Sequence, residues 1–286
     1  MNVVDEIVKN KKQLLKNKSA DDIKQKAYDY ASTKDKKFRF QEKLSDATST
    51  KLICEYKPSS PSQGDISTLS VEDVIEIYNM TPVDMISVLT EESYFKSNIE
   101  NLKKAVKLTD KPVLRKDFII DKYMIYEAVL CDASAVLLIN GVCPDIEDYL
   151  NLCYELGIDA IVECHTLNDI EDVVEYDPKI IGINNRDFKD LSINLQTTKK
   201  LAEYVPNYMI SESGVKTAHD AQKLKNYGAD GVLIGTSVLK SNEKPEIEHY
   251  INKLKYVLWK KYTLKKKIFK IKKSNIIRRI RRWPLK

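Results

Sequence analysis

Short apolar segments rich in β-branched residues alternate with longer segments of helical periodicity along most of the chain. In the helical segments, such as 70–78, 98–108, 146–156 and 218–227, apolar residues recur three and four positions apart. The strand-like segments begin at positions 52, 84, 112, 135, 159, 179, 207 and 230, so successive starts lie 20 to 32 residues apart. A short strand, a helix of about ten residues and two loops take about 25 residues. The pattern therefore predicts eight strand–helix units.

Eight such units over about 190 residues favour a (β/α)8 TIM barrel, a fold of the α/β class. The predicted strands are 52–57, 84–89, 112–116, 135–139, 159–163, 179–184, 207–212 and 230–235. A doubly wound open sheet also alternates strands with helices, but no G-x-G-x-x-G follows the first strand and the count of eight fits a barrel. Residues 1–45 are charged, lack Gly and Pro, and are expected to form an N-terminal helical extension.

The charge is distributed unevenly along the chain. Residues 253–286 hold 15 Lys or Arg and no Asp or Glu, whereas residues 1–252 hold 32 basic and 42 acidic residues, a net charge of −10. The net charge of +5 therefore describes an acidic body with a basic tail. We expect one barrel domain over residues 1–252, including the extension, followed by a tail that is helical or disordered.

The cysteine and histidine residues do not form a metal-binding pattern. The five Cys include no C-x-x-C pair and the three His are scattered, so we expect free thiols of a reducing cytosol and no metal site. No apolar run approaches the roughly 18 residues of a membrane span. The first residues, MNVVDEIVKNKK, mix acidic and basic side chains, which is not typical of a signal peptide. We therefore expect a cytoplasmic protein.

Polar and charged residues stand at the ends of most of the predicted strands. The ends read CEYK, VLTEE, LRKDF, VECH, INNRD, ISESG and LIGTS for strands 1, 2, 3, 5, 6, 7 and 8. A solvated rim would explain some of these residues, but charge within the last positions of an apolar strand is expensive to desolvate. Active sites of TIM barrels lie at the C-terminal ends of the strands. The pattern predicts an active site there.

These segments resemble the indole-3-glycerol phosphate synthase family, whose fold is a (β/α)8 barrel. LICEYKPSSPSQGDI, at 52–66, matches the family's Glu-x-Lys-x-x-Ser-Pro-Ser signature. The similarity continues through VLTEESYF, PVLRKDFIID, AIVECHTLNDI, IGINNRD, ISESGV and LIGTSVL, in order and at barrel spacing, and covers about residues 1–250. Pro58 and Gln63 depart from the family pattern because basic residues are frequent at both positions.

The resemblance implies a carbon–carbon lyase (EC 4.1.1.48) of tryptophan biosynthesis that needs no cofactor. Its substrate, 1-(2-carboxyphenylamino)-1-deoxyribulose 5-phosphate, closes a ring and loses CO2 and water to give indole-3-glycerol phosphate. The match implies that Lys116 is the general acid and Glu163 the catalytic glutamate, with Glu55 and Lys57 as an ion pair. Asn184 and Glu212 match the family's inward polar residues. By strand alternation, Cys164 is expected to pack behind the barrel and His165 to belong to a loop rather than to the catalytic set.

The phosphate is expected at the loops after strands 7 and 8, where barrels commonly bind phosphate and where two of the chain's eight glycines stand. The predicted substrate-binding residues are Ser60, Phe118, Arg186, Ser213, Gly214, Gly235 and Thr236. Four of these residues also have a plainer interpretation: Lys116 as a surface lysine, Asn184 as a turn residue, and Gly214 and Gly235 as ordinary loop glycines.

Two other functions remain open from the sequence. A related phosphate-binding barrel, such as phosphoribosylanthranilate isomerase, would share the phosphate loops but not the Glu-x-Lys of strand 1 with the lysine of strand 3. A non-catalytic scaffold would act through its tail, which is expected to contact nucleic acid, anionic surfaces or the acidic body. For the enzyme we expect a monomer whose first helix lies across the barrel mouth and helps to exclude water.

Overall fold

A computed structural model describes residues 3–35 and 37–259, and the structural statements below refer to this part of the chain. Eight parallel strands close into a barrel in which each strand pairs with the next one along the chain and the last pairs with the first. The strands are β1 (Lys51–Tyr56), β2 (Met85–Leu89), β3 (Val113–Lys116), β4 (Ala135–Ile139), β5 (Asp159–Cys164), β6 (Ile180–Asn184), β7 (Tyr208–Glu212) and β8 (Gly231–Ile234). Closure confirms the predicted barrel and excludes the open sheet.

Helices precede the barrel and follow every strand. Three belong to the extension and eight to the barrel: α1 (Val3–Leu15), α2 (Ala20–Ser32), α3 (Arg39–Ser45), α4 (Val71–Met80), α5 (Ile99–Lys107), α6 (Lys122–Leu130), α7 (Ile146–Leu156), α8 (Leu167–Val174), α9 (Gln196–Leu201), α10 (Ala218–Asn226) and α11 (Lys244–Trp259). A two-stranded hairpin of Ser59–Ser60 and Gly64–Asp65 lies between β1 and α4. Capping boxes begin α4, α8 and α10, which explains why these helices start where they do.

Strand alternation divides the apolar core into an inner and an outer layer. Outward residues such as Cys54, Ile86 and Val162 pack against the helices, whereas inward residues such as Ile53 and Ile161 fill the barrel. Above the inner apolar layer, the last inward positions are mostly polar or charged. They carry Glu55, Lys116, Glu163, Asn184 and Glu212 on β1, β3, β5, β6 and β7. The fold therefore gathers the predicted polar residues at one end of the barrel, which we call the mouth.

The N-terminal extension contacts the barrel at three different places. Helix α1 lies at the rim of the mouth, where Lys11 forms ion pairs with Glu92 and Asp117. Helix α2 packs along α6 on the side of the barrel. Helix α3 closes the opposite end, because the backbone N–H groups of Phe40 and Gln41 donate to Oδ2 of Asp159 at the start of β5. The extension is thus a clamp on the barrel, and only α1 reaches the mouth.

Helix α11 crosses the boundary at residue 252 that the charge distribution suggested. Leu254 and Leu258 are fully buried against the barrel, and the ammonium of Lys255 pairs with Asp84 at the start of β2. Asp84 also accepts a hydrogen bond from the backbone of Leu52. The folded unit therefore includes residues up to Trp259. The remainder of the predicted tail, 260–286, lies outside the described residues.

All five cysteines are free and buried, and Cys164 packs in the outer layer as alternation predicted. Among the described helices, none has both the length and the apolar character needed to cross a membrane.

Replacing Asp159 with Ala should destabilise the protein by about 1–3 kcal/mol, since two buried backbone N–H groups at the start of α3 would lose their acceptor. Chemical denaturation followed by circular dichroism measures the change. Asp172→Ala is the control, because Asp172 is an exposed residue of α8. Equal free energies of unfolding for the two variants would contradict the capping role of Asp159.

Candidate active site

A cavity of about 400 Å³ opens at the mouth of the barrel. Its floor is charged, one wall is apolar, and the loops after β7 and β8 form the far side. The predicted residues on its surface are Glu55, Lys57, Lys116, Phe118, Glu163, Asn184, Arg186, Ser213, Gly214, Gly235 and Thr236. Two predicted residues, Ser60 and Glu212, do not line it.

Two lysines and two glutamates form the charged floor. The ammonium of Lys116 contacts Oε2 of Glu212 and lies 3.9 Å from Oε2 of Glu55. Lys57 lies 2.8 Å from Oε1 of Glu55, as expected for residues two apart on one face of a strand. Glu212 is completely buried beneath Lys116. Glu212 therefore holds the Lys116 ammonium from below.

The protonation of this floor is set by burial and by neighbouring charges. Burial lowers the pKa of Lys116, but the charges of Glu212, Glu55 and Glu163 outweigh it and hold the pKa above its ordinary value. Burial raises the pKa of Glu212 to about 7 even though Lys116 opposes the shift. Near neutral pH the lysine is therefore charged, and the deepest carboxylate is the one that most readily takes up a proton.

Glu163 is held from two sides at the end of β5. Nδ2 of Asn184 donates to Oε1 of Glu163 over 2.9 Å, and Nε2 of His165 lies 3.2 Å from the same oxygen. Asn184 is the last residue of β6, so the interpretation as a turn residue was wrong. His165 follows β5 directly, yet its side chain contacts Glu163 and belongs to the site. Strand alternation alone predicts a loop residue at this position.

Two glycines leave space for carboxylates. A Cβ at Gly235 would lie 2.2 Å from Oε1 of Glu55 and 3.0 Å from Nζ of Lys57. A Cβ at Gly182 would lie 2.4 Å from Oε1 of Glu212. Gly235 lines the cavity as expected, but its missing side chain also makes room for the Glu55–Lys57 pair. Gly182 is not among the predicted site residues, although an inward glycine within a strand is a signal in a chain with only eight glycines.

The loops after β6, β7 and β8 supply further polar groups. Ser213 and Gly214 have positive φ angles of 65° and 94°. Asn185 holds this conformation, since its Nδ2 donates to the carbonyl oxygens of Glu212 and Ser213. Asn185 is a residue that motif matching did not single out.

Cationic side chains also reach the cavity from these loops. They come from Arg186, Lys216 and Lys240, of which the two lysines were not predicted. Arg186 is fixed by a hydrogen bond from Nη1 to the carbonyl of Leu191. These three cations give the opening of the cavity positive charge. Pro58 and Gln63, which stand where the family often has basic residues, do not contribute any.

One wall of the cavity is apolar and contains three aromatic rings. It consists of Phe95, Phe118, Leu137, Ile139, Phe188, Ile193 and Leu233. Phe118 was predicted from the sequence, and its ring lies 6.4 Å from that of Phe95. Ser60, by contrast, lies in the hairpin after β1, and its buried hydroxyl has no hydrogen bond from the described residues. Ser60 was predicted to bind the substrate, but it does not line the cavity.

A buried network of ion pairs connects α1 to the end of β3. Lys11 lies 3.1 Å from Oδ1 of Asp117, and Asp117 also pairs with Arg115 at 3.4 Å. The hydroxyl of Thr90 donates to Asp117 as well. Because Asp117 directly follows Lys116, its contacts with Arg115, Thr90 and Lys11 of α1 fix the end of β3.

A sequence model of indole-3-glycerol phosphate synthase matches residues 4–250. The chain belongs to the indole-3-glycerol phosphate synthase family. An indole-3-glycerol phosphate synthase from Methanothermobacter marburgensis is 37% identical over 249 residues, which cover 86% of this chain and 90% of that protein. One from Clostridium acetobutylicum is 39% identical over 262 residues, covering 88% and 98%. This membership excludes phosphoribosylanthranilate isomerase as the function.

Solved structures of lower sequence similarity share the fold. Thiamine phosphate pyrophosphorylase from Pyrococcus furiosus has a TM-score of 0.58 and 16% identity, covering 77% of this chain and 97% of that one. A tryptophan synthase from M. tuberculosis has a TM-score of 0.57 and 11% identity, with the same coverage. At these identities the likeness shows the barrel and carries no assignment of residues.

Gly182→Ala should lower kcat of this synthase by about tenfold or more, because the added methyl displaces Glu212 from beneath Lys116 and small errors in position are costly to catalysis. The loss of stability should be about 1–3 kcal/mol, as for other overpacked cores. Steady-state kinetics and thermal unfolding measure the two effects.

Gly231→Ala is the matched control, since its Cβ would lie in the same barrel at the end opposite the mouth, 3.3 Å from Ile210. It should affect stability far more than kcat. If the two variants lost kcat equally, Gly182 would have no special relation to the active site.

Proposed function

We propose that the charged floor of the cavity performs the family's reaction, with the Lys116 ammonium as the acid of ring closure. As the aromatic carbon of the substrate attacks the ketone, the ketone oxygen gains negative charge. Lys116 supplies a proton or its positive charge to that oxygen. The observation that carries this proposal is the position of the ammonium, which lies on the floor of the cavity and is held by two buried carboxylates.

The later steps fall to the groups beside Lys116. Loss of CO2 is followed by dehydration, which needs a base to take a proton from the new ring and an acid to release hydroxide. We assign the base to Glu163, whose pKa is lowered although burial raises it, because His165, Lys116 and Asn184 favour the carboxylate. Lys57 provides a second ammonium that also contacts Glu55. Glu55 is thus shared by the two lysines.

Substrate binding follows from the remaining surfaces of the cavity. The apolar wall around Phe118 would receive the aromatic ring. Ser213, Gly214, Gly235 and Thr236 would receive the phosphate at the loops after β7 and β8, with Arg186 as an additional cation. Gly182 and Gly235 support this arrangement because they leave the carboxylates beneath the substrate in place.

Lys116→Met should keep the fold and lower turnover by at least about 10²-fold, the lower range for a lost proton-transfer group. The barrel tolerates the change because Glu212, with a pKa already near 7, can become neutral. Indole fluorescence with the anilino substrate measures turnover, and circular dichroism measures folding.

Lys26→Met on the exposed face of α2 is the control and should have the parent rate. A near-normal rate in folded Lys116→Met would remove this lysine from the catalytic set.

The C-terminal tail acts, in this proposal, as an electrostatic arm outside the catalytic unit. Residues 260–286 hold 13 basic and no acidic residues. Such a segment binds polyanions without sequence preference and with steep salt dependence, or folds back on the acidic body. We further propose a monomer in the cytoplasm; the five free cysteines fit a reducing compartment.

Truncation after Trp259 should leave kcat/KM unchanged and abolish retention on heparin at low salt. Truncation after Asn252 should instead destabilise the protein by several kcal/mol, since it removes the buried side chains of Leu254 and Leu258. Activity, heparin chromatography and thermal unfolding of both variants decide the matter. If the chain ending at Trp259 folded but had no activity, the tail would belong to the catalytic unit.

A further inference from the structure

His165 is fixed beside Glu163 by contacts on three sides. The two residues are separated by one position, so both side chains point to the inner side of the barrel. Nε2 of His165 lies 3.2 Å from Oε1 of Glu163, an ion-pair distance, although the two groups are not aligned as a hydrogen bond. The imidazole ring packs on Phe188, with 4.3 Å between ring centroids. Its backbone N–H donates to Oδ2 of Asp169 over 2.7 Å.

The two oxygens of Glu163 have different surroundings. Oε1 is contacted by His165 and accepts a hydrogen bond from Asn184. Oε2 receives no hydrogen bond from any residue that the structure describes. Since Glu163 lines the cavity, Oε2 is the oxygen left for a proton from the substrate. The contacts to Oε1 thus fix the rotation of the carboxylate.

The charges around His165 favour its protonated form. Burial lowers the pKa of the imidazole, but the carboxylates of Glu163, Asp169 and Glu212 outweigh burial and raise it. Asp169 lies on α8, with its Oδ2 4.0 Å from Nδ1 of His165. Lys116, on β3, also lowers the pKa of Glu163. The two pKa shifts, upward for His165 and downward for Glu163, both favour the imidazolium–carboxylate pair over the neutral pair.

We propose that His165 is a positioning residue that keeps Glu163 ionised and holds its free oxygen available for the proton removed during dehydration. The inference rests on the proposed role of Glu163 as the base. His165 itself does not line the cavity, so it acts through Glu163 rather than on the substrate.

The pH dependence of turnover follows from this arrangement. A base works only when deprotonated, so the acid limb of the kcat profile reports the pKa of Glu163 in the enzyme–substrate complex. The imidazolium lowers that pKa. Removing the positive charge must therefore move the acid limb to higher pH, and activity is lost at pH values where the parent is still active.

His165→Gln and His165→Phe test the proposal. Gln keeps an N–H donor without the charge, and Phe keeps the ring on Phe188 without a donor. We expect the acid limb to rise by about one pH unit in both variants, which lowers kcat about tenfold on that limb. KM should change by less than about twofold, and Phe should have the larger effect. His219→Gln is the control, because His219 is exposed on α10.

A second measurement separates this inference from the role of Glu163. The carboxylate of Glu163 can be titrated by 13C NMR without substrate, and its pKa should rise in His165→Gln but not in His219→Gln. An unchanged pKa and an unchanged acid limb would overturn the proposal. Kinetics of Glu163→Gln test the base itself: full activity would disprove the assigned role of Glu163, while the titration would still report the coupling to His165. In the Glu163→Gln background, His165→Gln should have no further effect on kcat.

Discussion

Burial of charge in the upper layer of the barrel is the constraint on which the rest of this structure depends. Glu55, Glu163 and Glu212 are each at most 2% exposed, and an unpaired ion at such a site costs several kcal/mol. The chain meets this cost with Lys57, Lys116 and the amide of Asn184. Three carboxylates face two ammonium groups there. Burial raises the pKa of Glu212 to about 7, and the side chain of His165 joins the cluster through its contact with Glu163.

Such a cluster needs a rigid frame, because its favourable energy depends on short contacts. The frame is built at both ends of the barrel. At the closed end, Asp159 caps α3 and Asp84 ties α11 to β1 and β2. At the mouth, Lys11 reaches from α1 to Asp117, the neighbour of Lys116. The N-terminal extension and the last helix therefore belong to the same mechanical unit as the active site, even though neither lines the cavity.

Sequence patterns predicted the parts of this arrangement that depend on one strand at a time. Alternation and strand ends are local, so the barrel, the floor residues and the outward position of Cys164 followed from them. Gly182 and Asn185 affect the site because of the register between β6 and β7, which places Asn184 opposite Glu212. Residue spacing within a single strand does not predict the register between two strands. His165 lies one position past the end of β5, where alternation does not predict which neighbour its side chain contacts. The boundary at residue 252 was misplaced because charge composition does not report the burial of Leu254 and Leu258.

The cavity has opposite charge at its floor and at its opening. Negative charge is in excess at the floor, whereas Arg186, Lys216 and Lys240 stand on the loops around the opening. An anionic substrate entering a low-dielectric cleft is drawn toward the cations of the rim and repelled by a floor of carboxylates. We infer that this polarity keeps the phosphate at the loops after β7 and β8. The ketone, which carries no charge until the ring closes, is then the group that can approach Lys116. The attraction of the Lys116 ammonium for the ketone oxygen grows only as the transition state forms.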